Sequence, residues 1–396
     1  MELNPFSHDF HADPYPVYRW LRDEAPCYYN EELDFFALSR YDDVLAASQQ
    51  PLLFSSAEGT TLERLDTAAM LPMMIFMDPP RHDLHRQLVS RAFTPRAVAE
   101  LEPFVRSTAV ALLDKLREKG GGDFVEEFSA ILPMNVIFEL IGVPPDDRDQ
   151  LRRWMDTTLD RTEEPPYIPR EALEAMASAT AYWRDLLREK RSSPDGGVMG
   201  RLCEVEIETG DGPARLTDEE VIGFCSLIGS AGTETLTKLL ANAVVLLQRN
   251  PTEWKKIQED PSTLAGTVEE TLRYWAPSQY QGRLLAEDVV SHGIPMPAGS
   301  RVLMMTGSAN RDERAYDDPD RFDISRGAHV PLGFGHGLHF CLGAALARLE
   351  GRVGLGEFAR LFPEYEIDES GLKRVHQSNV HGFSSVPFAA ASGART

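Results

Sequence analysis

The sequence predicts a mainly α-helical protein with small β-sheets, folded as a single large α-rich domain. Long stretches such as residues 96–119 and 171–190 are rich in Ala, Leu, Glu and Arg, which favour helix. Strand-like segments are short and occur in only two places. No internal repeat or Gly/Ser-rich linker divides the chain. We therefore expect one domain over residues 1–396, with a β-containing part over about residues 1–60 and no fused reductase.

The strand-like segments predict two small sheets. Residues 27–29 and 35–38 are aromatic or apolar and flank a polar turn, which is typical of a β-hairpin. After Pro277, apolar residues at 289–290 and 302–305 are separated by a turn rich in Gly and Pro. This second group predicts another sheet in the C-terminal half.

Composition excludes several classes of protein. Of 396 residues, 42% are apolar, too many for a disordered chain. The 40 Lys and Arg residues against 62 Asp and Glu residues give a net charge of −22, which argues against nucleic-acid binding because phosphates need basic partners. The N-terminus has no basic start followed by an apolar stretch, and no apolar run could span a bilayer. We expect a cytoplasmic monomer with no membrane anchor.

The clearest predicted helix covers residues 218–249. Thr217 and Glu220 fit a capping box at its start, and Asn250 with the following proline supplies the stop. Unbroken, this helix would be about 48 Å long at 1.5 Å per residue. It is apolar on nearly all sides over residues 221–231, so we expect it to be buried.

Gly232, Glu234 and Thr235 are unusual in the middle of a buried helix. A carboxylate there is costly unless it is paired or hydrated, and an interior glycine weakens a helix. One interpretation is a close helix–helix approach with a salt-bridged glutamate. The other is a kink that accommodates a ligand next to a proton-donating pair.

A glycine-dense segment, with Gly333, Gly335 and Gly337, leads into Cys341, and an amphipathic helix follows. The unpaired N–H groups of a helix N-terminus favour a thiolate over a thiol. A lone thiolate beside glycines that admit a flat body is typical of an axial ligand to haem iron. The four cysteines have no regular spacing, so we interpret them as thiols rather than disulfides. The other three are Cys27, Cys203 and Cys225.

Two simpler interpretations of Cys341 stay open at this point. A lone cysteine is often only a small buried apolar residue. A zinc site would combine Cys341 with His336, His339 and a fourth ligand, although their spacing differs from the usual zinc patterns.

This segment closely resembles one protein family. Its residues match the haem-binding signature F-G-x-G-x-H-x-C-x-G of the cytochrome P-450 superfamily, the haem-thiolate monooxygenases. The matching positions are Phe334, Gly335, Gly337, His339, Cys341 and Gly343. The chain is thus similar to bacterial-type members, and the resemblance implies the cytochrome P-450 fold and a heme b whose iron is ligated by Cys341.

Further segments resemble family motifs in the same order along the chain. The residues Ala231, Gly232, Glu234 and Thr235 are similar to the oxygen-binding A-G-x-[DE]-T motif, which implies that Glu234 and Thr235 relay protons beside O₂. Another segment holds Glu270 and Arg273 in an E-x-x-R element. Without the resemblance, these two residues would be an ordinary exposed ion pair.

Arg321 lies in a segment similar to the P-x-R-F element of the family. The resemblance implies that Arg321 joins Glu270 and Arg273 in a buried network that holds the Cys341 loop.

The resemblance also implies which residues bind the two haem propionates. In the family, the propionates are bound by a helical H-x-x-x-R pair, by an arginine after the E-x-x-R helix and by the histidine of the haem-binding signature. The matching positions are His82, Arg86, Arg283 and His339. Taken singly, each could be a surface cation.

Substrate-lining residues are chosen from helical spacing and from the family's variable regions. The candidates are Met73, Met74, Leu227, Ser230, Gln279, Tyr280 and Phe383. They predict a hydrophobic substrate, although core packing explains methionine and phenylalanine equally well.

The resemblance implies hydroxylation or epoxidation of a small molecule with O₂ and electrons from a separate ferredoxin and its reductase. Residues 81–96 carry four arginines against one aspartate. We hypothesise that Arg91 and Arg96, with Arg348 and Arg352, dock an acidic ferredoxin. The alternative is a solvated basic face.

Other roles on the same fold are peroxide-driven oxidation, nitric oxide reduction and gas or ligand sensing. The acid–alcohol pair of Glu234 and Thr235 favours O₂-driven monooxygenation over these alternatives. A haem-free helical scaffold would be excluded if the purified protein is red.

Overall fold

In a computed structural model, the described residues are 1–63, 70–90, 95–164, 167–193, 196–210, 212–327, 330–377 and 379–391. Helices dominate these ranges, as the sequence predicts. They are α1 (His8–Ala12), α2 (Tyr15–Glu24), α3 (Tyr41–Ser48), α4 (Arg81–Ser90), α5 (Pro95–Glu100), α6 (Glu102–Lys119), α7 (Ile131–Ile141), α8 (Arg148–Thr157), α9 (Arg170–Ser192), α10 (Val198–Glu204), α11 (Asp218–Arg249), α12 (Pro251–Glu259), α13 (Leu264–Tyr274), α14 (Thr306–Ala309) and α15 (Ala344–Leu361).

The strands are short, which confirms the predicted fold class. They are β1 (Cys27–Asn30), β2 (Phe35–Leu38), β3 (Phe54–Ser55), β4 (Gly121–Asp123), β5 (Ile207–Thr209), β6 (Gly212–Ala214), β7 (Gln281–Leu285), β8 (Val289–Ser291), β9 (Ile294–Met296), β10 (Arg301–Met304), β11 (Tyr365–Ile367), β12 (Lys373–Arg374), β13 (Phe383–Ser385) and β14 (Pro387–Ala390). The largest sheet has the order β1-β2-β10-β7-β3, and a second has the order β11-β14-β4.

The largest sheet joins the two predicted strand regions. Strands β1 and β2 form the expected antiparallel hairpin, with Cys27 opposite Leu38. Strand β10 then pairs with β2 in parallel, with Arg301 beside Phe35, and with β7 in antiparallel orientation. The prediction of a separate sheet from residues 289–290 and 302–305 is therefore wrong: residues 289–290 belong to the hairpin of β8 and β9, whereas residues 302–304 join the sheet of β1 and β2.

The central helix α11 begins and ends where the sequence predicts. The Thr217 hydroxyl accepts from the Glu220 backbone N–H at 3.3 Å, and the Glu220 carboxylate accepts from the Thr217 N–H at 2.9 Å. The helix continues through Gly232 as one element from Asp218 to Arg249. It packs against α7, α9, α13 and α15 and therefore crosses the main hydrophobic core.

Two 3₁₀-helices shape the segment before α15. They cover Leu332–Phe334 and Gly337–His339. Cys341 comes after both and lies three residues before the start of α15. Within the described residues, no helix has both the length and the apolar character needed to cross a membrane.

Candidate functional site

A large cavity lies between α11 and the loop that carries Cys341. It encloses about 1760 Å³ not filled by protein atoms, part of it open to solvent. Its wall is mainly apolar on the α11 side and carries basic groups elsewhere. Lining residues from the predicted set are Met74, His82, Arg86, Leu227, Ala231, Gly232, Thr235, Arg283, Phe334, Gly335, His339, Cys341 and Gly343.

The glycines of the Cys341 loop meet specific steric demands. Gly335 and Gly337 have φ angles of 69° and 68°, in the left-handed region that favours glycine. A Cβ on Gly337 would lie 2.4 Å from the Ser48 carbonyl oxygen. The loop is closed by the Cys341 N–H, which donates to the Phe334 carbonyl at 2.9 Å. The sulfur is thus held at the cavity wall by a tightly folded loop.

Glu270 and Arg273 form a buried, bidentate ion pair, with N···O distances of 2.7 and 2.8 Å. The guanidinium of Arg273 also donates to three backbone carbonyls, those of Asn310, Pro319 and Arg321. A second guanidinium, from Arg326, lies 3.4 Å from Glu270. This pairing and the backbone contacts satisfy charges that would otherwise be costly to bury.

The structure corrects the predicted role of Arg321. Its side chain is 64% exposed and pairs with Asp323. Only its backbone carbonyl reaches Arg273, and Arg326 supplies the third charged side chain of the network. The P-x-R-F segment therefore contributes its backbone to the network, and its arginine side chain lies in solvent.

Asn310 connects this network to the Cys341 loop. Its side-chain oxygen accepts from the Leu332 N–H at 2.8 Å, while its backbone carbonyl accepts from Arg273 at 3.0 Å. Arg86 fixes the loop from the other side by donating to the carbonyls of Leu338 and Phe340, at 3.1 and 2.7 Å.

The predicted propionate ligands gather at the cavity. His82 is fully buried, and its Nδ1 lies 3.6 Å from the Asp83 carboxylate, whereas its Nε2 has no hydrogen-bond partner. Its ring centroid lies 4.5 Å from that of His339. The His339 ring nitrogen Nε2 contacts the Ser56 hydroxyl at 3.1 Å. Burial lowers the pKa of Arg283 to about 10. Burial, together with the charges of Arg283, His82 and Arg86, lowers the pKa of His339 to about 3.

The basic residues at the cavity wall form a site suited to negative charge. Glu350 is the one acidic residue among the described lining residues. An anionic ligand at this wall would give the His82 Nε2 atom an acceptor and would be attracted by the guanidinium groups of Arg86 and Arg283. The residues present therefore fit the two carboxylates of a haem.

Burial raises the pKa of the Cys341 thiol, contrary to the expectation that the helix N-terminus favours a thiolate. The Gly343 N–H and the charges of Arg86 and Arg348 lower it, but the loss of hydration outweighs them. The protein alone keeps this sulfur protonated, so a thiolate requires a further cation such as iron.

On α11, Ala231, Gly232 and Thr235 face the cavity. The Thr235 hydroxyl donates to the Ala231 carbonyl at 2.7 Å. A Cβ on Gly232 would meet Ile137 only at 3.5 Å, an ordinary contact. Gly232 therefore does not serve a close helix approach, and its missing side chain leaves space at the wall.

Glu234 points away from this wall. Its carboxylate pairs with the Lys238 ammonium at 2.9 Å, and both side chains are buried. The salt-bridged glutamate that the simpler interpretation of α11 proposed is thus what the structure contains. In the sequence, Lys238 follows Glu234 by four residues, which allows an ion pair on one helix face. The sequence did not indicate that the lysine is buried.

Several predicted substrate residues lie elsewhere. Gln279 is buried, accepts from the Tyr18 hydroxyl at 2.8 Å and donates to a backbone carbonyl. Tyr280 belongs to the N-terminal core cluster, and Phe383 packs beside Trp275 in the main core. The described cavity lining does not include these residues, Met73 or Ser230.

The sequence analysis missed other lining residues, among them Ile137, Phe224, Ile228, Ser278, Gln281, Thr306 and Glu350. Glu350 is the most unusual of them, because it is buried and its Oε2 atom has no hydrogen-bond partner. Burial raises its pKa well above the ordinary value. An acidic residue four positions after Leu346 on the apolar face of α15 was the available signal.

No cluster of three or more metal-binding side chains occurs within the described ranges, so they give no support to the zinc interpretation. Of the basic residues proposed for docking, Arg91 lies outside the described residues. Arg96 is exposed and pairs with Glu100 at 3.0 Å, Arg348 pairs with Glu269, and Arg352 is exposed on α15.

Comparisons with known proteins agree with this geometry. The family model "Cytochrome P450" matches residues 165–377. A Mycobacterium tuberculosis protein named as cytochrome P450 123 is 44% identical over 98% of this chain and 96% of its own length. The vitamin D(3) 25-hydroxylase of Pseudonocardia autotrophica is 40% identical over 96% and 95%. The crystal structure of CYP109E1 from Bacillus megaterium with testosterone has a TM-score of 0.90 and 31% identity, covering 97% of this chain and 100% of that one.

Proposed function

Because this chain belongs to the cytochrome P450 family, we propose that it inserts one oxygen atom from O₂ into a hydrophobic small molecule, with electrons from a separate ferredoxin. The family's cofactor is haem with a cysteine thiolate on the iron. One observation carries the proposal: the cavity brings together the Cys341 thiol, the Thr235 hydroxyl and the buried His82 ring, whose Nε2 has no hydrogen-bond partner.

Each side of the cavity has a separate task in holding the cofactor. Cys341 would ligate the iron from its loop. The propionates would be held by His82, Arg86, Arg283 and His339, and the Nε2 atom of His82 has no partner within the protein. The buried network of Glu270 and Arg273 keeps the loop in place through Asn310, and so fixes the position of the sulfur.

A bound thiolate-ligated haem supplies reductive activation of O₂, in which donation from sulfur favours O–O cleavage. Gly232 leaves room for a small molecule at the α11 wall. Thr235 is the one polar side chain among the described α11 residues that line the cavity. Because its hydrogen is given to the Ala231 carbonyl, its oxygen is free to accept from water. Glu234 directly precedes Thr235 on α11. It would supply protons to a water molecule held by the Thr235 hydroxyl.

The substrate we propose is a neutral, apolar molecule. The α11 wall presents Phe224, Leu227 and Ile228, and the segment with Met74 and Ile75, which contacts α11, adds further apolar lining. The charged lining groups are those assigned to the cofactor, with Glu350. The names of a vitamin D(3) hydroxylase and a testosterone complex among the similar proteins support a molecule of sterol size. Titration with testosterone, decanol and decanoate tests this: a substrate-induced spin shift should appear with the neutral ligands and be weaker with decanoate.

The electron donor would dock on the face behind the sulfur. Helix α15 begins three residues after Cys341, and α5 packs against it. This face carries Arg96, Arg348 and Arg352, all partly or fully exposed. A basic patch in a chain with a net charge of −22 would attract an acidic ferredoxin.

The deciding experiment is the absorption spectrum of the reduced, carbon monoxide-bound protein, followed by turnover with ferredoxin, its reductase and NADPH. We expect the Soret band of a thiolate-ligated haem and formation of hydroxylated or epoxidised product. A Soret band at the imidazole-ligated position would contradict the assignment of Cys341. Product formed with peroxide alone, and none with the reductant system, would contradict the O₂-dependent reaction.

A further inference from the structure

Behind α11, on the side away from the cavity, charged side chains from two helices lie close together. Helix α8 packs against α11 at Gly229, where a Cβ would lie 3.0 Å from the Met155 sulfur. The residue after Met155 is Asp156, which pairs with Arg152 at 2.9 Å. On α11, Glu234 pairs with Lys238 at the same distance. Asp156 and Arg152 thus lie on the helix that packs against α11, close enough for the charges of Glu234 and Lys238 to act on Asp156.

The two pairs differ in exposure. The side chains of Glu234 and Lys238 are 7% and 5% exposed, whereas those of Asp156 and Arg152 are 33% and 27% exposed. Asp156 therefore reaches solvent and Glu234 does not. Glu234 in turn directly precedes Thr235, which lines the cavity. The order from solvent to cavity is Asp156, Glu234, Thr235.

The electrostatics couple the two carboxylates. Burial and the Glu234 carboxylate raise the pKa of Asp156 to about 7, while Arg152 and Lys238 lower it. Two other charged residues of the following loop are near: Asp160, whose pKa is raised by burial and by Glu234, and Arg161, which lowers it. The Asp160 carboxyl also bonds to Gln377. Asp156 is thus a carboxyl group that gains and loses a proton in the neutral range next to a buried carboxylate.

We propose that Asp156 is the solvent-side positioning residue of the proton relay, and that it passes protons to Glu234. This inference rests on the proposed function. In the step, the protonated Asp156 carboxyl gives its proton to the Glu234 carboxylate, directly or through one water. Asp156 becomes a carboxylate beside Arg152, and Lys238 is released from the now neutral Glu234. Solvent then reprotonates Asp156, so that no net charge accumulates behind α11.

The test compares Asp156→Asn with Asp160→Asn, a matched change of the other nearby carboxylate. In the wild type, the amount of product formed per electron pair should fall as pH rises, with an apparent pKa near 7. We call this fall the alkaline limb of the pH profile. Asp156→Asn should remove this limb and lower coupled turnover by ~10-fold or more, and Asp156→Glu should restore both. Asp160→Asn should keep the limb.

A second readout does not depend on activity. In the holoenzyme, one component of the infrared absorption of protonated carboxylic acids should disappear as pH rises through 7, while the component from Glu350 remains. The band that disappears should be absent in Asp156→Asn and present in Asp160→Asn. If Asp156→Asn fails to fold, Arg152→Gln serves instead: since Arg152 lowers the pKa of Asp156, its removal should move both the limb and the band to higher pH.

The inference is overturned if Asp156→Asn keeps the limb and the infrared band, if Asp160→Asn loses them instead, or if Arg152→Gln moves neither. Failure of the proposed function looks different. In that case the wild type would bind haem and form no product with the reductant system, whatever the state of Asp156.

Discussion

At Cys341, burial and ligation have opposite effects on the sulfur. Burial raises the pKa of the thiol, so the thiolate is stable only with a cation bound to it. We predict that Cys341→Ser abolishes the thiolate-type carbonyl spectrum. The matched control is Cys203→Ser, because Cys203 is half-buried and donates only to the Met199 carbonyl. Loss of the spectrum in the control as well would indicate general damage to the fold.

At the cavity wall, the Thr235 hydroxyl donates its hydrogen to the Ala231 carbonyl, and its oxygen can still accept a hydrogen bond. We predict that Thr235→Ala lowers product formed per NADPH by ~10-fold, with more electrons released as peroxide, because ordered water at the wall is lost. Thr235→Ser keeps the hydroxyl and should retain most of the coupling. Unchanged coupling in the alanine variant would contradict the relay through Thr235. Product and peroxide are measured together in one assay.

Glu350 makes stability depend on pH. Its folded-state pKa is raised, so the unfolded chain loses the proton first and wild-type stability falls as pH rises above about 4.5. Glu350→Gln removes this loss. We predict that at pH 8 the variant has a higher melting temperature than the wild type, and that its free energy of unfolding is larger by ~1 kcal/mol or more. At pH 4.5 the two proteins should have similar melting temperatures. An equal difference at both pH values would show that Glu350 is charged when folded.

At the scale of elements, the Cys341 loop depends on a glycine that faces α3. Gly337→Ala would place a methyl group 2.4 Å from the Ser48 carbonyl and require an unfavourable φ of 68°. We expect a loss of ~1–3 kcal/mol in stability and a lower haem content, measured by melting temperature and by the haem-to-protein absorbance ratio. Gly200→Ala in α10 is the control, since nothing lies within 4 Å of its added Cβ. Equal effects in both would contradict a specific steric role.

Local sequence signals predicted single elements well. The capping box at Thr217 and the hairpin over residues 27–38 depend on neighbours in sequence, and the structure confirms both. The stretch 96–119 forms two helices, α5 and α6, separated by Leu101. The network around Arg273 was harder to predict, because the choice between Arg321 and Arg326 depends on how residues 317–326 turn.

At the scale of the whole molecule, the proposed docking face opposes the overall charge. We predict that the double variant Arg96→Glu/Arg352→Glu slows reduction by an acidic ferredoxin ~10-fold at low salt and flattens its dependence on ionic strength. The control is Arg170→Glu, an exposed arginine on α9. Stopped-flow reduction at several salt concentrations measures the effect. A salt dependence equal to that of the wild type would place the donor elsewhere.

Long-range assembly explains which parts of the site were missed. The residues of the family motifs could be recognised because each motif is a short continuous segment. That these segments line one cavity was implied by the family resemblance. Ser56, Asn310 and Asp156 carry no local signal, since each acts through residues far away in the chain. The same holds for Gln279 and Tyr280, which the structure places in contacts with the N-terminal segment.

The parallel pairing of β2 with β10 has a consequence for biosynthesis. At 5–20 residues per second, the roughly 260 residues between these strands take about 13–52 s to synthesise. During this time β2, with Phe35 and Phe36, leaves one edge of the nascent hairpin without its final partner. The sheet that carries Arg283 is therefore completed late in translation, and the emerging N-terminal segment must be kept from aggregating until β10 arrives.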